Sequence, residues 1–156
     1  MKRIFTPTLF LATLVLSACG GTTSTATQPP SAATQAPTEL VASGGSATVD
    51  ITLADNTIKA SQTTFQVRAP YTFVITNAGH HAHNFNVNTP VSAAGGVDAA
   101  LSGALLAVDR SQLSPGAKAT VEFTFPDSAT GQPLEFSCLI KKHYDDGMLL
   151  AITVTK

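Results

Sequence analysis

Short segments in which apolar and polar residues alternate dominate the chain from residue 47 onward, and they restrict the folds that it can adopt. In "ATVDITLA" (47–54), for example, Val49, Ile51 and Leu53 alternate with polar neighbours. Six further segments share this character: "TTFQVRA", "YTFVITNAG", "HNFNVN", "KATVEFTF", "PLEFSC" and "MLLAITVT". A period of two is the pattern of a half-buried strand, and turn residues separate several of these segments. The sequence therefore predicts six or seven short strands.

The strand pattern predicts an all-β fold, a β-sandwich, over residues 47–156. No long run of helical period interrupts the strands, which argues against an α/β fold. One segment differs, because apolar residues between Val97 and Val108 follow spacings of three and four. We interpret it as a short helical insertion, in part a loop, packed beside the sheets. About 110 residues is the size of one compact domain.

The N-terminus has the layout of a bacterial export signal. Two basic residues precede the apolar stretch 9–16, and "LSACG" (16–20) resembles a lipobox. The sequence thus predicts a signal peptide at 1–18, a lipidated Cys19, and a protein anchored to the cell membrane that faces the periplasm or the cell exterior. The alternative is an ordinary signal peptide cut near Ala18, with Cys19 as an unmodified thiol.

Residues 19–46 are predicted to form a disordered linker. Thr, Ser, Ala, Gln, Pro and Gly dominate them, and Glu39 carries the only charge. Removal of residues 1–18 leaves seven Lys and Arg against ten Asp and Glu, a formal net charge of −3. A mildly acidic chain is not expected to bind nucleic acid. No GxGxxG, P-loop or HExxH pattern occurs.

The segment "CLIKKHYDDGM" (138–148) concentrates rare side chains. Cys138 is the only free cysteine once Cys19 is lipidated, and Met148 is the only methionine left after Met1 is removed. On its own, Cys138 reads as a small buried hydrophobe. Cys138 and His143 would not share a face of a helix or a strand. They converge if a strand ends at Cys138, residues 139–147 form a loop, and a new strand begins near Met148.

A fourth side chain is expected from "GHHAHNF" (79–85). His83 shares its parity with inward-facing Phe85 and Val87, so we select it, although a lone histidine there would more often be a core residue. His80 and His81 are interpreted as solvated turn residues. Two imidazoles, one thiolate and a weak methionine are the ligands of an electron-transfer copper site, and the thioether disfavours zinc. All four positions are filled, which argues against an enzyme.

Residues 47–156 resemble the cupredoxins, the blue copper proteins that include plastocyanin, azurin and auracyanin. The resemblance rests on His83-Asn84 after a strand and turn, and on a later Cys, His and Met in one loop. Gaps of four and four residues in that loop resemble auracyanin-type proteins most, and these are membrane-tethered outside the cytoplasm. The resemblance implies a Greek-key β-sandwich, one type 1 copper ion held by His83, Cys138, His143 and Met148, and an Asn84 that hydrogen-bonds the two ligand loops together.

The loop departs from the family at Lys141-Lys142, where relatives commonly have a Pro-Gly turn. Lys141, Lys142 and Tyr144 are candidates for a partner-docking surface, either steering an acidic partner or forming a merely solvated loop. The predicted function is a membrane-anchored, monomeric, extracytoplasmic one-electron carrier whose partners are redox proteins such as cytochromes. The alternatives are a copper-binding or delivery protein, and an enzyme domain resembling a copper nitrite reductase or oxidase, which would need a second copper site.

Overall fold

The structure is a computed structural model and describes residues 45–156. The predicted signal peptide, the lipidation site Cys19 and all but the last two residues of the linker lie outside the described residues. Within residues 45–156, no helix is both long and apolar enough to cross a bilayer.

Two sheets of short strands make up the domain, as the sequence predicts. In chain order, the strands are β1 (Ala47–Ala54), β2 (Thr57–Ala60), β3 (Thr64–Gln66), β4 (Pro70–Asn77), β5 (Phe85–Asn88), β6 (Leu106–Val108), β7 (Lys118–Thr124), β8 (Leu134–Ser137) and β9 (Leu149–Thr155). The first sheet has the order β2-β1-β4-β7 and the second the order β3-β9-β8-β5-β6. Pairing is parallel between β1 and β4 and between β3 and β9, and antiparallel elsewhere in the two sheets.

Three short helices and one 3₁₀ turn connect the strands. They are α1 (Val91–Ala94), α2 (Val97–Ser102), the 3₁₀ turn Asp127–Ala129, and α3 (Lys141–Asp145). The fold class is therefore the predicted all-β sandwich with a short helical insertion, which here consists of α1 and α2.

Aromatic side chains from both sheets fill the space between them. The fully buried phenylalanines are Phe65, Phe73, Phe85, Phe125 and Phe136. Phe73 of β4 meets Phe65 and Phe136 of the opposite sheet edge-on, at centroid distances of 5.9 and 5.7 Å. Edge-to-face contacts of this kind add to the free energy gained from burial, so the two sheets are fixed to each other near the middle of the sandwich.

The second sheet is buried on both faces at β5 and β8, unlike the half-buried strands that the alternation predicts. Asn86, Asn88, Glu135 and Ser137 are all buried on its outer side. They bond to one another, since Ser137 Oγ donates to Asn88 Oδ1 at 2.6 Å and Asn86 Nδ2 donates to the Ser137 carbonyl at 3.2 Å. α2 packs against β5. The insertion therefore lies over a buried polar layer whose groups bond largely to one another, although Asn86 Oδ1 has no hydrogen-bond partner within residues 45–156.

Two local predictions differ from the structure, and one strand was not predicted. The helix predicted for Val97–Val108 ends at Ser102, and residues 106–108 form β6, because this segment pairs with the free edge of β5. Residues 139–147 are not simply a loop, since α3 occupies Lys141–Asp145. β2 was not predicted; it follows β1 through a tight turn at Asp55 and Asn56, where Asn56 adopts a left-handed conformation that asparagine tolerates.

Candidate metal centre

Two histidines and the cysteine converge at one end of the second sheet. His83 lies three residues before Asn86 of β5, and Cys138 follows Ser137 of β8, which pairs with Asn86. The third residue, His143, lies in α3. The Nδ1 atoms of the two histidines are 3.0 Å apart, and the Cys138 Sγ atom lies 3.5 Å from Nδ1 of His143 and 3.9 Å from Nδ1 of His83. One thiol and two ring nitrogens therefore form a single compact group.

The chain around His83 is organised by the side chain of Asn77, the last residue of β4, which is fully buried. Its Nδ2 group donates to the carbonyl oxygens of His81 and Leu113, both at 2.8 Å. Its Oδ1 atom accepts from the N–H of Gly79 at 2.9 Å. The Leu113 carbonyl also accepts from the N–H of His83 at 3.1 Å. One buried amide thus joins the two chain segments that flank His83.

Backbone hydrogen bonds close the segment that carries the other donors. The Cys138 N–H donates to the Met148 carbonyl, and the Met148 N–H donates to the His143 carbonyl, both at 3.0 Å. Gly147 turns the chain from α3 into β9 with φ of 95°, a conformation that glycine adopts without a steric penalty. Met148 is fully buried and belongs to the hydrophobic core. Its part as an axial ligand stays a prediction.

Asn84 connects the two halves of the group. Its Oδ1 atom accepts from the N–H of Leu139 at 2.8 Å and from Nδ2 of Asn86 at 3.1 Å. Leu139 directly follows Cys138, whereas Asn84 directly follows His83. One side chain therefore sets the separation between the segment with the cysteine and the segment with His83.

Burial decides the ionisation of the donors. Burial raises the pKa of the Cys138 thiol, and the N–H groups of Ile140 and Asn84 oppose this by hydrogen-bonding to the sulfur. Burial also lowers the pKa of His83, and the nearby His143 adds to that effect. Neutral imidazole is the form that binds a metal, so His83 is kept ready for ligation. The thiol must lose its proton when a metal binds, and the two N–H groups then stabilise the thiolate.

The group is nearly closed to solvent on one side. His83 is 1% exposed and Cys138 is 0% exposed. His143 is only partly buried. Any exchange of electrons or of metal with the outside is therefore easiest on the His143 side.

His80 and His81 lie outside the group. His80 is exposed, and its Nδ1 atom lies 2.7 Å from Oδ2 of Asp55. His81 is exposed as well, and its ring centroid is 6.3 Å from that of His143.

The candidate docking residues lie on α3 beside His143. Lys141 and Lys142 are exposed, and Lys142 pairs with Asp146 at 3.1 Å. The hydroxyl of Tyr144 accepts from the N–H of Val91 at 3.2 Å, which ties α3 to the insertion.

Sequence reasoning missed Asn77 and Asp55 as parts of the site. In the sequence, Asn77 closes the segment "YTFVITNAG" as part of the turn signal Asn-Ala-Gly, and no pattern singles out Asp55. Both carry short polar side chains at the end of a strand or in the turn after it, where such side chains commonly bond to the backbone. That signal predicts a turn, and it does not say which loop the side chain will meet.

No protein-family model matches the chain, and no curated protein matches it in sequence. Solved structures match its fold. An auracyanin from the photosynthetic bacterium Roseiflexus castenholzii, reduced with sodium dithionite, has a TM-score of 0.53 and 22% identity, over 72% of this chain and 100% of that chain. This domain has the cupredoxin fold.

Two further auracyanins match the cupredoxin domain. Auracyanin B has a TM-score of 0.51 and 20% identity, over 74% of this chain and 94% of that chain. Auracyanin A, a "blue" copper protein from the green thermophilic photosynthetic bacterium Chloroflexus aurantiacus, has a TM-score of 0.50 and 23% identity, over 71% of this chain and 100% of that chain.

The donor set of the cupredoxin domain fits a single type 1 copper site. His83, Cys138 and His143 offer two imidazole nitrogens and one sulfur whose donor atoms all lie within 4.8 Å of one another. Such a His₂Cys set is the trigonal array that type 1 copper uses. The two Nδ1 atoms and the sulfur face each other without an intervening side chain. A metal ion bound by all three would replace the contacts that these atoms now make with one another.

Proposed function

We propose that this protein is a one-electron carrier that uses copper, anchored to the membrane through Cys19 and working outside the cytoplasm. The observation that carries the proposal is the buried group of one thiol and two imidazole Nδ1 atoms in a cupredoxin fold. In the proposal, His83, Cys138 and His143 hold the ion and Met148 is its axial ligand. Bound copper supplies a reversible change between Cu(II) and Cu(I).

The surrounding residues suit electron transfer because they hold the donors in place. Asn84 fixes the distance between the two ligand segments, and the backbone bonds of Met148 fix the spacing of Cys138 and His143. A site that is already built needs little rearrangement when its charge changes. The N–H groups that contact the Cys138 sulfur add a further influence, because hydrogen bonds to this sulfur tune the reduction potential.

The burial of the donors favours a carrier over a copper-delivery protein. Delivery needs ligands that a second protein can reach and exchange, whereas His83 and Cys138 are at most 1% exposed. A type 1 site in an enzyme of the copper nitrite reductase kind works with a second copper site. His80 and His81 are the only further histidines, and His80 is engaged by Asp55.

The proposed partner is a redox protein, such as a cytochrome, that docks around His143. α3 presents two exposed lysines beside this histidine, but Lys142 is paired with Asp146. Lys141 forms no ion pair within residues 45–156. Lys141 is thus the unpaired lysine on α3 that could steer an acidic surface of a partner. The positive charge available for steering is therefore smaller than the two lysines in the sequence suggest.

The proposed location rests on the N-terminal sequence. The lipobox-like "LSACG" (16–20) supports lipid attachment to Cys19 after removal of residues 1–18. About 25 residues of the predicted linker would reach roughly 25–30 Å by the square-root scaling of flexible chains, and the proposed anchor would then let a folded domain move just off the membrane surface.

The visible spectrum tests the proposal. Purified protein loaded with Cu(II) should show an intense charge-transfer band from the thiolate to copper, and the band should disappear in Cys138→Ser. Cys19→Ser is the matched control, because it removes the other cysteine of the chain and should leave the band unchanged. If the wild type takes up copper without this band, the proposed carrier function is wrong.

A second measurement separates the carrier from the delivery protein. A copper chelator added in excess should remove the ion only slowly, since the donors are buried. Ready transfer to the chelator would favour delivery.

A further inference from the structure

The His83 ring has a second nitrogen, Nε2, that points away from the donor group and has no hydrogen-bond partner within residues 45–156. If Nδ1 faces the metal, the neutral ring has its proton on Nε2, and this N–H is the group that normally bonds to an outer partner of the site. His83 Nε2 is buried, and within residues 45–156 it has no hydrogen-bond partner. A buried N–H without an acceptor destabilises a protein, so a nearby acceptor is of interest.

The closest charged group is the carboxylate of Asp55, whose Oδ1 atom lies 3.6 Å from His83 Nε2. Two bonds to His80 hold this carboxylate. The backbone N–H of His80 donates to Asp55 Oδ1 at 2.9 Å, and the Nδ1 atom of His80 lies 2.7 Å from Asp55 Oδ2. These two contacts with His80 hold the Asp55 carboxylate beside the His83 ring.

The parallel pairing of β1 and β4 brings Asp55 to the site. Leu53 pairs with Asn77, and the Ala78 N–H donates to the Leu53 carbonyl at 2.7 Å beyond the last pair. Two residues further along each chain, Asp55 comes to lie beside Gly79. The turn between β1 and β2 and the loop that leads to His83 are thus neighbours because of strand register.

Gly79 leaves open the space between the carboxylate and the imidazole. A Cβ atom at this position would lie 2.6 Å from Asp55 Oδ1 and 2.9 Å from His83 Nε2. Both distances are shorter than non-bonded atoms tolerate. The Asp55 carboxylate and the His83 ring can therefore approach each other because residue 79 has no side chain. Glycine is needed here for lack of space and not for a special backbone conformation.

The remaining gap is small. A distance of 3.6 Å is about 0.6–0.7 Å longer than a typical N–H···O bond, and it is too short to admit a water between the two atoms. Asp55 lies in a turn and its side chain is 36% exposed, so a shift of its carboxylate by this amount would bring Oδ1 within hydrogen-bonding distance of His83 Nε2.

We infer that Asp55 is a positioning residue that accepts a hydrogen bond from His83 Nε2–H, fixes Nδ1 as the metal-binding atom, and favours the more positive oxidised copper. The inference rests on the proposed function for its effect on copper. The hydrogen bond itself is a property of the metal-free protein. A carboxylate behind a ligating imidazole raises its basicity, and loss of such an outer partner typically lowers metal affinity 10–100-fold.

Asp55→Asn tests the charge, since asparagine suits a turn and keeps the volume. Cu(II) affinity should fall about tenfold with Cu(I) affinity unchanged, which raises the reduction potential by about 59 mV for a one-electron couple. Asp50→Asn is the matched control, because Asp50 is an exposed residue of β1, the strand that leads to Asp55, and its replacement removes the same charge. Equal potentials in Asp55→Asn, Asp50→Asn and wild type would overturn the inference.

The metal-free protein gives a readout that does not depend on copper. Nitrogen-15 NMR of the histidine rings should find His83 as the Nε2–H tautomer in the wild type, with His143 donating from its Nδ1 across the 3.0 Å contact. In Gly79→Ala, the new methyl group separates Asp55 from the ring, and His83 should shift toward the Nδ1–H tautomer. A wild-type His83 protonated on Nδ1 contradicts the inference even if copper binds. Conversely, a wild type without the blue band, but with the expected tautomer, refutes the proposed function and leaves the Asp55 contact standing.

Discussion

Replacing Asn77 by alanine should lower the free energy of unfolding by about 3 kcal/mol. The side chain of Asn77 makes three hydrogen bonds, two donated to the carbonyls of His81 and Leu113 and one accepted from Gly79. A typical hydrogen bond contributes about 1 kcal/mol net. The Leu113 carbonyl keeps the N–H of His83 as a donor, so it avoids the larger penalty of an acceptor left without any partner. The loss is a large share of the roughly 5–15 kcal/mol that holds a domain folded.

Urea-induced unfolding of the metal-free protein, followed by far-ultraviolet circular dichroism, measures this loss. Gln112→Ala is the control, since it removes an exposed amide next to Leu113 and should change the free energy by no more than about 0.5 kcal/mol. Asn77→Asp keeps the acceptor for Gly79 but turns a carboxylate oxygen toward two carbonyl oxygens, so it should cost at least as much as alanine. A loss below about 1 kcal/mol in Asn77→Ala, with an unchanged denaturant slope, would refute the view that this amide holds the loop together.

Two further predictions concern the buried parts of the domain. Burial raises the pKa of Glu135, so the folded state disfavours its charged form. The stability of Glu135→Gln relative to the wild type should therefore increase as the pH rises above about 4.5, the pKa of this group in the unfolded chain. Urea titrations at pH 4–7 measure the difference between the two proteins, and a constant difference would contradict the prediction. Phe73→Ala should cost about 3–5 kcal/mol because Phe73 is fully buried among other aromatic rings. Phe123→Ala, at a half-buried neighbouring position, should cost clearly less in the same assay, and equal losses would argue against the described core.

The strands that the sequence predicts are those whose signal is local. Alternation over seven or eight residues identifies β1, β4, β7 and β9, and it also locates the shorter β3, β5 and β8. β2 and β6 were missed: β2 has only four residues directly after a turn, and the apolar residues around β6 follow a helical spacing. β6 forms because the edge of β5 offers it backbone partners, and that edge exists only in the folded domain. Tertiary pairing therefore overrides the helical spacing at residues 106–108, whereas residues 97–102 do form a helix.

The same distinction applies to the site. Parity with Phe85 and Val87 points His83 inward, and all three side chains are buried in the structure. The partners of the loop around His83 could not be predicted, because Asn77 and Asp55 act on residues that lie far away in sequence or are reached only through the register of β1 and β4. A turn-forming residue looks the same in sequence whether its side chain bonds locally or reaches a ligand loop.

The pairing of β5 with β8 also determines whether folding or metal binding comes first. His83 and Cys138 are 55 residues apart and meet only after these two strands have paired. An unfolded chain therefore offers copper no such group to bind. On the proposed function, the domain folds first, keeps a free thiol shielded in its interior, and receives its metal afterwards, from whatever copper is available on the outer side of the membrane.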